Sequence, residues 1–89
     1  MPTVAFTSHL RKLCSPEPYR VGGGTVGESL GEVFAAAPKL RGYLLDDQGN
    51  VRHHVAIFLD GEPVRDRVKL TDAVRDDSDI FVAQALSGG

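Results

Sequence analysis

Apolar residues in the first half of the chain fall on one helical stripe. Val26, Leu30, Val33, Phe34 and Ala37 recur at i, i+4, i+7, i+8 and i+11, while Glu28, Glu32 and Ala35 point the other way. The spacing predicts a helix over residues 25–37. Thr25 and Glu28 spell T-x-x-E, a capping box. In it the threonine oxygen accepts from the Glu28 N–H and the glutamate returns to the N–H of Thr25. Pro38 is expected to end the helix, because proline breaks the hydrogen-bond ladder. Gly27 and Gly31 each cost a helix about 1 kcal/mol. Both flank the stripe, and close approach to a sheet would account for them.

Elsewhere the pattern alternates with a period of two. Thr3 to Ser8 carries Val4 and Phe6 on one face and reads as a strand. Arg11 to Pro18 is polar with two prolines and reads as a loop. Glu17 to Val21 is a second short strand, expected to pair antiparallel with the first. Asp46 to Asn50 is a turn. Val51 to Asp60 reads as a strand with Val55, Ile57 and Leu59 on one face and Ala56 and Phe58 on the other. Asp60-Gly61 signals a tight hairpin turn, and Glu62 to Arg65 follows as an edge strand because Pro63 cannot donate. Asp72 to Asp79 is an acidic loop. Ile80 to Leu86 is the last strand, expected at the sheet centre because Ile80-Phe81-Val82-Ala83 is apolar on both faces. The class is α+β: a mixed sheet of four or five strands with one main helix on one face. This order matches the β-grasp, or ubiquitin-like, fold. Residues 1–86 form the expected domain and residues 87–89 a flexible tail ending in Gly-Gly.

Composition narrows the function. The chain has 89 residues, 42% apolar and 25% charged, with a net charge of −2. A chain this short buries about 60–65% of its unfolded surface, enough for one modest core. The ten Lys and Arg residues are scattered along it, so no basic stripe argues for nucleic acid. No apolar run approaches the ~18 residues of a membrane span. The single cysteine, Cys14, cannot form an internal disulfide or hold a metal cluster alone. No signal peptide is visible, and the expected location is the cytoplasm.

The stretch Gly22-Gly23-Gly24-Thr25-Val26-Gly27-Glu28-Ser29 fits G-x-G-x-x-G, and Asp46 stands where a ribose-binding acid is expected. Three features argue for a turn feeding a capped helix instead. The pattern after Asp46 turns to hairpins. Glu28 occupies the place of the Walker lysine. The capping box uses first-turn amides that a phosphate would take.

The end of the chain, Leu86-Ser87-Gly88-Gly89, carries the chemistry. Glycine adds nothing to a packed strand, but it suits a tail that slides extended into a narrow channel. A terminal carboxylate is ionised at neutral pH and is a nucleophile towards the α-phosphate of ATP. With "TVGESLGEVFAAAPKLRGYLLDDQGNV", "VAIFLDGEPV", "RDDSDIFVAQ" and the final "LSGG", the chain resembles the MoaD/ThiS family of small sulfur carrier proteins over nearly its whole length. The Asp76-Asp77-Ser78-Asp79 segment departs from the glycine-containing turn expected there.

The resemblance implies that the protein is not itself an enzyme. An E1-like adenylating enzyme, using ATP, would activate Gly89. A persulfide-bearing sulfur donor would convert it to a thiocarboxylate, and a sulfur-accepting synthase would consume it in cofactor or cysteine biosynthesis. Gly88 and Ser87 would enter the channel. No cofactor, metal, nucleic acid or membrane is implied. The alternatives are a ubiquitin-like modifier forming isopeptide conjugates and a non-covalent β-grasp adaptor. Strand parity puts Phe58, Phe81 and Ala83 outward on neighbouring strands, and with Leu86 they form a candidate partner-docking patch. His53 and His54, as successive strand residues, are expected to point to opposite faces and not to share an ion. Asp76, Asp77 and Asp79 lack calcium-loop spacing and read as a solvated turn.

Overall fold

The computed structural model describes residues 1–11 and 17–84. Cys14, Leu86, Ser87, Gly88 and Gly89 lie outside the described residues. The elements run β1 (Thr3–Phe6), α1 (Ser8–Arg11), β2 (Tyr19–Arg20), α2 (Val26–Ala36), α3 (Pro38–Leu44), β3 (Val55–Leu59), β4 (Glu62–Pro63) and β5 (Asp79–Gln84). The five strands form one mixed sheet in the order β2-β1-β5-β3-β4. β5 is central: it runs parallel to β1 and antiparallel to β3. Only one of its faces is buried: Ile80 and Val82 point into the core, while Phe81 on the other face stays exposed.

Val4, Phe6, Val55, Ile57, Ile80 and Val82 project from the sheet into the core and meet Val26, Leu30 and Val33 of α2. The helical stripe is therefore what closes the core. Phe34, on the same stripe, is half-buried against it. The Asp60-Gly61 turn adopts positive φ at both residues, +52° and +87°. That is the hairpin geometry whose twist matches the strands, and it joins β3 to the edge strand β4.

Pro38 does not end the helical region. It opens α3, where its missing N–H falls at a position with no helical partner to lose. Only Ala37, at φ −137°, separates the two helices. Leu40 and Leu44, four apart, bury the inner face of α3. The single helical turn α1 takes Ser8 from the end of the expected first strand and Arg11 from the start of the expected loop.

The strand predicted from Val51 begins only at Val55. The Val55 N–H donates to the Arg52 carbonyl at 3.0 Å and closes a turn with His53 and His54 at its centre. Arg67 fixes this turn: its Nη2 donates to the carbonyls of Arg52 (3.0 Å) and Val55 (2.7 Å). A long-range cation holding two carbonyls outweighs the local alternation of V-R-H-H-V. The expectation that the two histidines are strand residues on opposite faces is thus corrected.

Gly27 and Gly31 have different explanations. A Cβ on Gly27 would lie 3.3 Å from the carbonyl oxygens of Lys69 and Leu70, so the helix approaches a loop there, not the sheet. A Cβ on Gly31 would meet nothing within 4 Å. Gly31→Ala should therefore raise stability by about 0.5–1 kcal/mol through helix propensity and reduced chain entropy. The thermal unfolding midpoint should rise by several degrees; a fall would show that the site is crowded.

Among the described residues, no helix is long and apolar enough to cross a membrane.

Candidate functional site

The amides of the first helical turn of α2 are taken within the chain. Val26 N–H donates to the Asp72 carbonyl at 3.0 Å and Gly27 N–H to the Leu70 carbonyl at 2.9 Å. Glu28 N–H donates to Thr25 Oγ1 at 3.1 Å, and Ser29 N–H to the Thr25 carbonyl at 3.0 Å. The Val26, Gly27 and Glu28 N–H groups, which have no partner in the helical ladder, are thus satisfied, and Ser29 makes the first bond of that ladder. The capping box is displaced by one residue: Glu28 Oε1 accepts from Gly24 N–H at 2.9 Å, not from Thr25. Glu32 Oε2 likewise accepts from Gly22 N–H at 2.9 Å. A Cβ on Gly23 would lie 2.5 Å from the Ser29 nitrogen, so this glycine packs directly on the helix backbone. Asp46, the ribose-acid candidate, is spent on its own turn, where Oδ1 accepts from the N–H groups of Gln48 and Asn50.

Two carboxylates organise the loop that caps α2. Asp72 accepts from the N–H groups of Arg65 and Asp66. Asp66 accepts from the Thr71 hydroxyl at 2.7 Å and from the N–H groups of Lys69, Val68 and Thr71. The Thr71 hydroxyl bond and then the Lys69 amide hold the Asp66 carboxyl at about 2, below its ordinary 3.8. The folded value is depressed, so this contribution is present above pH 3.8 and fades as pH falls towards 2. Asp66→Asn should lower the unfolding midpoint at pH 7, with the gap from the parent chain narrowing below pH 3.8. A gap independent of pH would contradict this account. Leu70, in the same loop, is held at φ +54° while buried.

At the far end of the sheet Asp60 ties the β3–β4 turn to β5. It accepts from Asp79 N–H (2.9 Å) and the buried Ser78 hydroxyl (3.0 Å), and pairs with Arg75 at 3.5 Å. The Asp79 amide, chiefly, holds its carboxyl below the usual range, with Ser78 and Arg75 adding to the effect. Asp76 and Asp77 are exposed, while Asp79 accepts from the Thr3 hydroxyl at 2.7 Å. Ser78 N–H bonds to the Arg75 carbonyl at 3.0 Å, so the segment is a turn without glycine. Among the described residues, no group of three or more His, Cys, Asp or Glu residues is arranged to hold a metal ion.

The sheet face opposite α2 carries the candidate patch. Phe58 lies directly across from Phe81, and Ala56 across from Ala83. On the other side of β5, Ala5 of β1 is the register partner of Phe81. Phe81 is 40% exposed, which is high for an aromatic residue on a central strand. Phe58, Ala83, Ala56 and Ala5 are half-buried, and Pro63 is exposed opposite Phe58. Sequence parity brings Phe58, Phe81 and Ala83 together correctly. It misses Ala5 and Pro63, because only the β1–β5 and β3–β4 registers place them on this face. β5 is described to Gln84, whose partner is Val55, and the chain continues from there into residues 85–89.

No protein-family model matches the sequence, and no curated protein matches it. Solved structures do. A chain of the BexX/CysO complex from Amycolatopsis orientalis superposes with a TM-score of 0.86 at 22% identity, over 100% of both chains. CysO from Mycobacterium tuberculosis gives 0.83 at 22% identity, over 97% of this chain and 100% of that one. SAMP1 from Haloferax volcanii gives 0.81 at 22% identity, over 99% and 98%. The fold is the ubiquitin-like β-grasp. SAMP1 is, by name, a small archaeal modifier protein. In this β-grasp the grasping sheet is β2-β1-β5-β3-β4 and the grasped helix is α2, with α3 as a second, shorter helix. The open face of the β-grasp sheet is the one that carries Phe58 and Phe81.

Proposed function

We propose that the chain is a sulfur carrier whose reactive group is the Gly89 carboxylate. The observation that carries this reading is a Gly-Gly end continuing from the central strand of a β-grasp sheet whose open face bears two facing phenylalanines. Residues 85–89, extended, span about 17 Å. A partner that takes Gly89 into its active site therefore comes within about 17 Å of the end of β5, and the open face with Ala83 and Phe81 is the apolar surface at hand there. Gly88 and Ser87 fill the channel behind Gly89, and Leu86 joins Phe58, Phe81 and Ala83 at the docking face.

The chemistry belongs to the partners, and the chain binds no cofactor of its own. In an E1-like enzyme a Gly89 carboxylate oxygen attacks the α-phosphorus of ATP and pyrophosphate leaves. The terminal sulfur of a persulfide attacks the acyl carbon and AMP departs with the bonding pair. A second thiol then cleaves the sulfur–sulfur bond, forming a disulfide and releasing the thiocarboxylate. A sulfur-accepting synthase takes up that sulfur in cofactor or cysteine biosynthesis. We assign these steps to the cytoplasm.

The name of the SAMP1 neighbours, small archaeal modifier protein, favours a second reading. A lysine amine of another protein would attack the same adenylate, giving an isopeptide bond. The first step is common to both readings and can be tested alone. With an E1-like enzyme, the chain should stimulate exchange of labelled pyrophosphate into ATP. Absence of exchange across a panel of such enzymes, with the chain folded, would remove both readings and leave a non-covalent adaptor.

A further inference from the structure

We propose that the turn formed by His53 and His54 is a two-imidazole site for a borderline divalent transition ion of the Zn²⁺, Ni²⁺ and Cu²⁺ group. As strand neighbours the two rings would face opposite sides of the sheet. The turn closed by Val55 N–H and Arg52 O removes that obstacle, and the rings stand 5.6 Å apart between centroids at 85°.

That separation fits a shared ion. Zinc lies about 2.1 Å from each ligating nitrogen and so roughly 3.2 Å from each ring centre, which puts two rings of a tetrahedral site about 5.2 Å apart. The observed spacing is within a few tenths of an ångström of this value. Small rotations about the side-chain torsions of an exposed and a half-exposed residue close the difference.

The turn is stiffened from beneath by Arg67, whose Nη2 holds the carbonyls on either side of the histidines. Arg52 has its Nε turned to the Gly42 carbonyl at 3.1 Å. The backbone around the pair is thus set before any ion arrives, and the imidazoles are not part of what sets it. With no third His, Cys, Asp or Glu grouped with them among the described residues, water fills the remaining positions. Imidazole ligands favour ions that prefer nitrogen over hard, oxygen-seeking Ca²⁺ or Mg²⁺. The site lies where β3 begins, opposite Gln84, the last described residue before the reactive end of the chain.

The test is titration of the full chain with Zn²⁺ alone, followed by calorimetry and by the imidazole resonances. A C14S background excludes the thiol as a ligand. Saturable binding that shifts the ring signals of both His53 and His54, weakened about tenfold or more by H53Q and equally by H54Q, is the expected result. His9→Gln should leave it unchanged. Zn²⁺ binding that survives H53Q or H54Q at full strength, or no saturable binding up to about millimolar ion (the weak end of useful affinities), would overturn the site. Circular dichroism should be superimposable across the variants, because the bonds that form the turn are between backbone groups and Arg67.

Discussion

Phe81→Glu is expected to lower kcat/KM for adenylation by an E1-like enzyme about thirtyfold or more, while the chain stays folded. The magnitude is that of a buried aromatic anchor, whose loss costs about 2 kcal/mol or more at a protein interface. Phe81 has the attributes of one. It sits on the central strand, faces Phe58 across the ladder, borders Ala5 on the other side, and remains 40% exposed. A glutamate there puts an ionised carboxylate where the partner needs an apolar surface, and burying that charge unpaired is costly. The effect on folding is far smaller. The replaced ring leaves the cross-strand pair with Phe58, a contribution of about 0.2–1 kcal/mol, and the core on the other face is untouched. Phe58→Glu should act in the same direction, and less strongly, since Phe58 is already half-buried beside Pro63. A Phe81→Glu chain loaded as fast as the parent would show that the partner docks elsewhere.

Deleting Gly88 and Gly89 should abolish adenylation, thiocarboxylate formation and conjugation together, with the unfolding midpoint unchanged. Without the terminal glycines the carboxylate belongs to Ser87, set back by about 7 Å and flanked by side chains. Adenylation is an alignment problem, and displacements near 1 Å already cost two orders of magnitude. Stability is expected to survive because the buried side chains identified between Val4 and Val82 supply the core, and glycine contributes no side chain to it. A milder variant, Gly88→Val, keeps the length and tests channel width instead; it should be docked normally and loaded poorly. If the truncated chain carries out its cellular role in full, the protein is an adaptor and the tail is incidental.

Much of this architecture was legible because local and global signals agree. The Val26–Ala37 stripe, the Asp60-Gly61 turn and the doubly apolar Ile80–Ala83 run each point to one element, and each is found where the pattern puts it. The departures have physical causes outside the local window. Pro38 reads as a stop because the same residue that breaks a helix also begins one, and only the burial of Leu40 and Leu44 distinguishes the two. The start of β3 shifts from Val51 to Val55 because Arg67, distant in sequence, captures two carbonyls. The glutamate of the capping box reaches Gly24 and not Thr25, a difference of one residue that periodicity does not encode. For the site, parity assembled Phe58, Phe81 and Ala83, whereas Ala5 required the parallel β1–β5 register. Parallel pairing brings together residues 76 apart in sequence, and no turn chemistry announces it.

The central claim is that Gly89 is the atom-transfer end of this chain. Its most direct test is the intact mass of the protein after incubation with ATP, an E1-like enzyme and a persulfide donor. The account predicts a gain equal to the replacement of one oxygen by sulfur, located at Gly89 by fragmentation and absent from the chain lacking Gly88 and Gly89. The same gain in the truncated chain, or a sulfur located at Cys14 and not at Gly89, would contradict it.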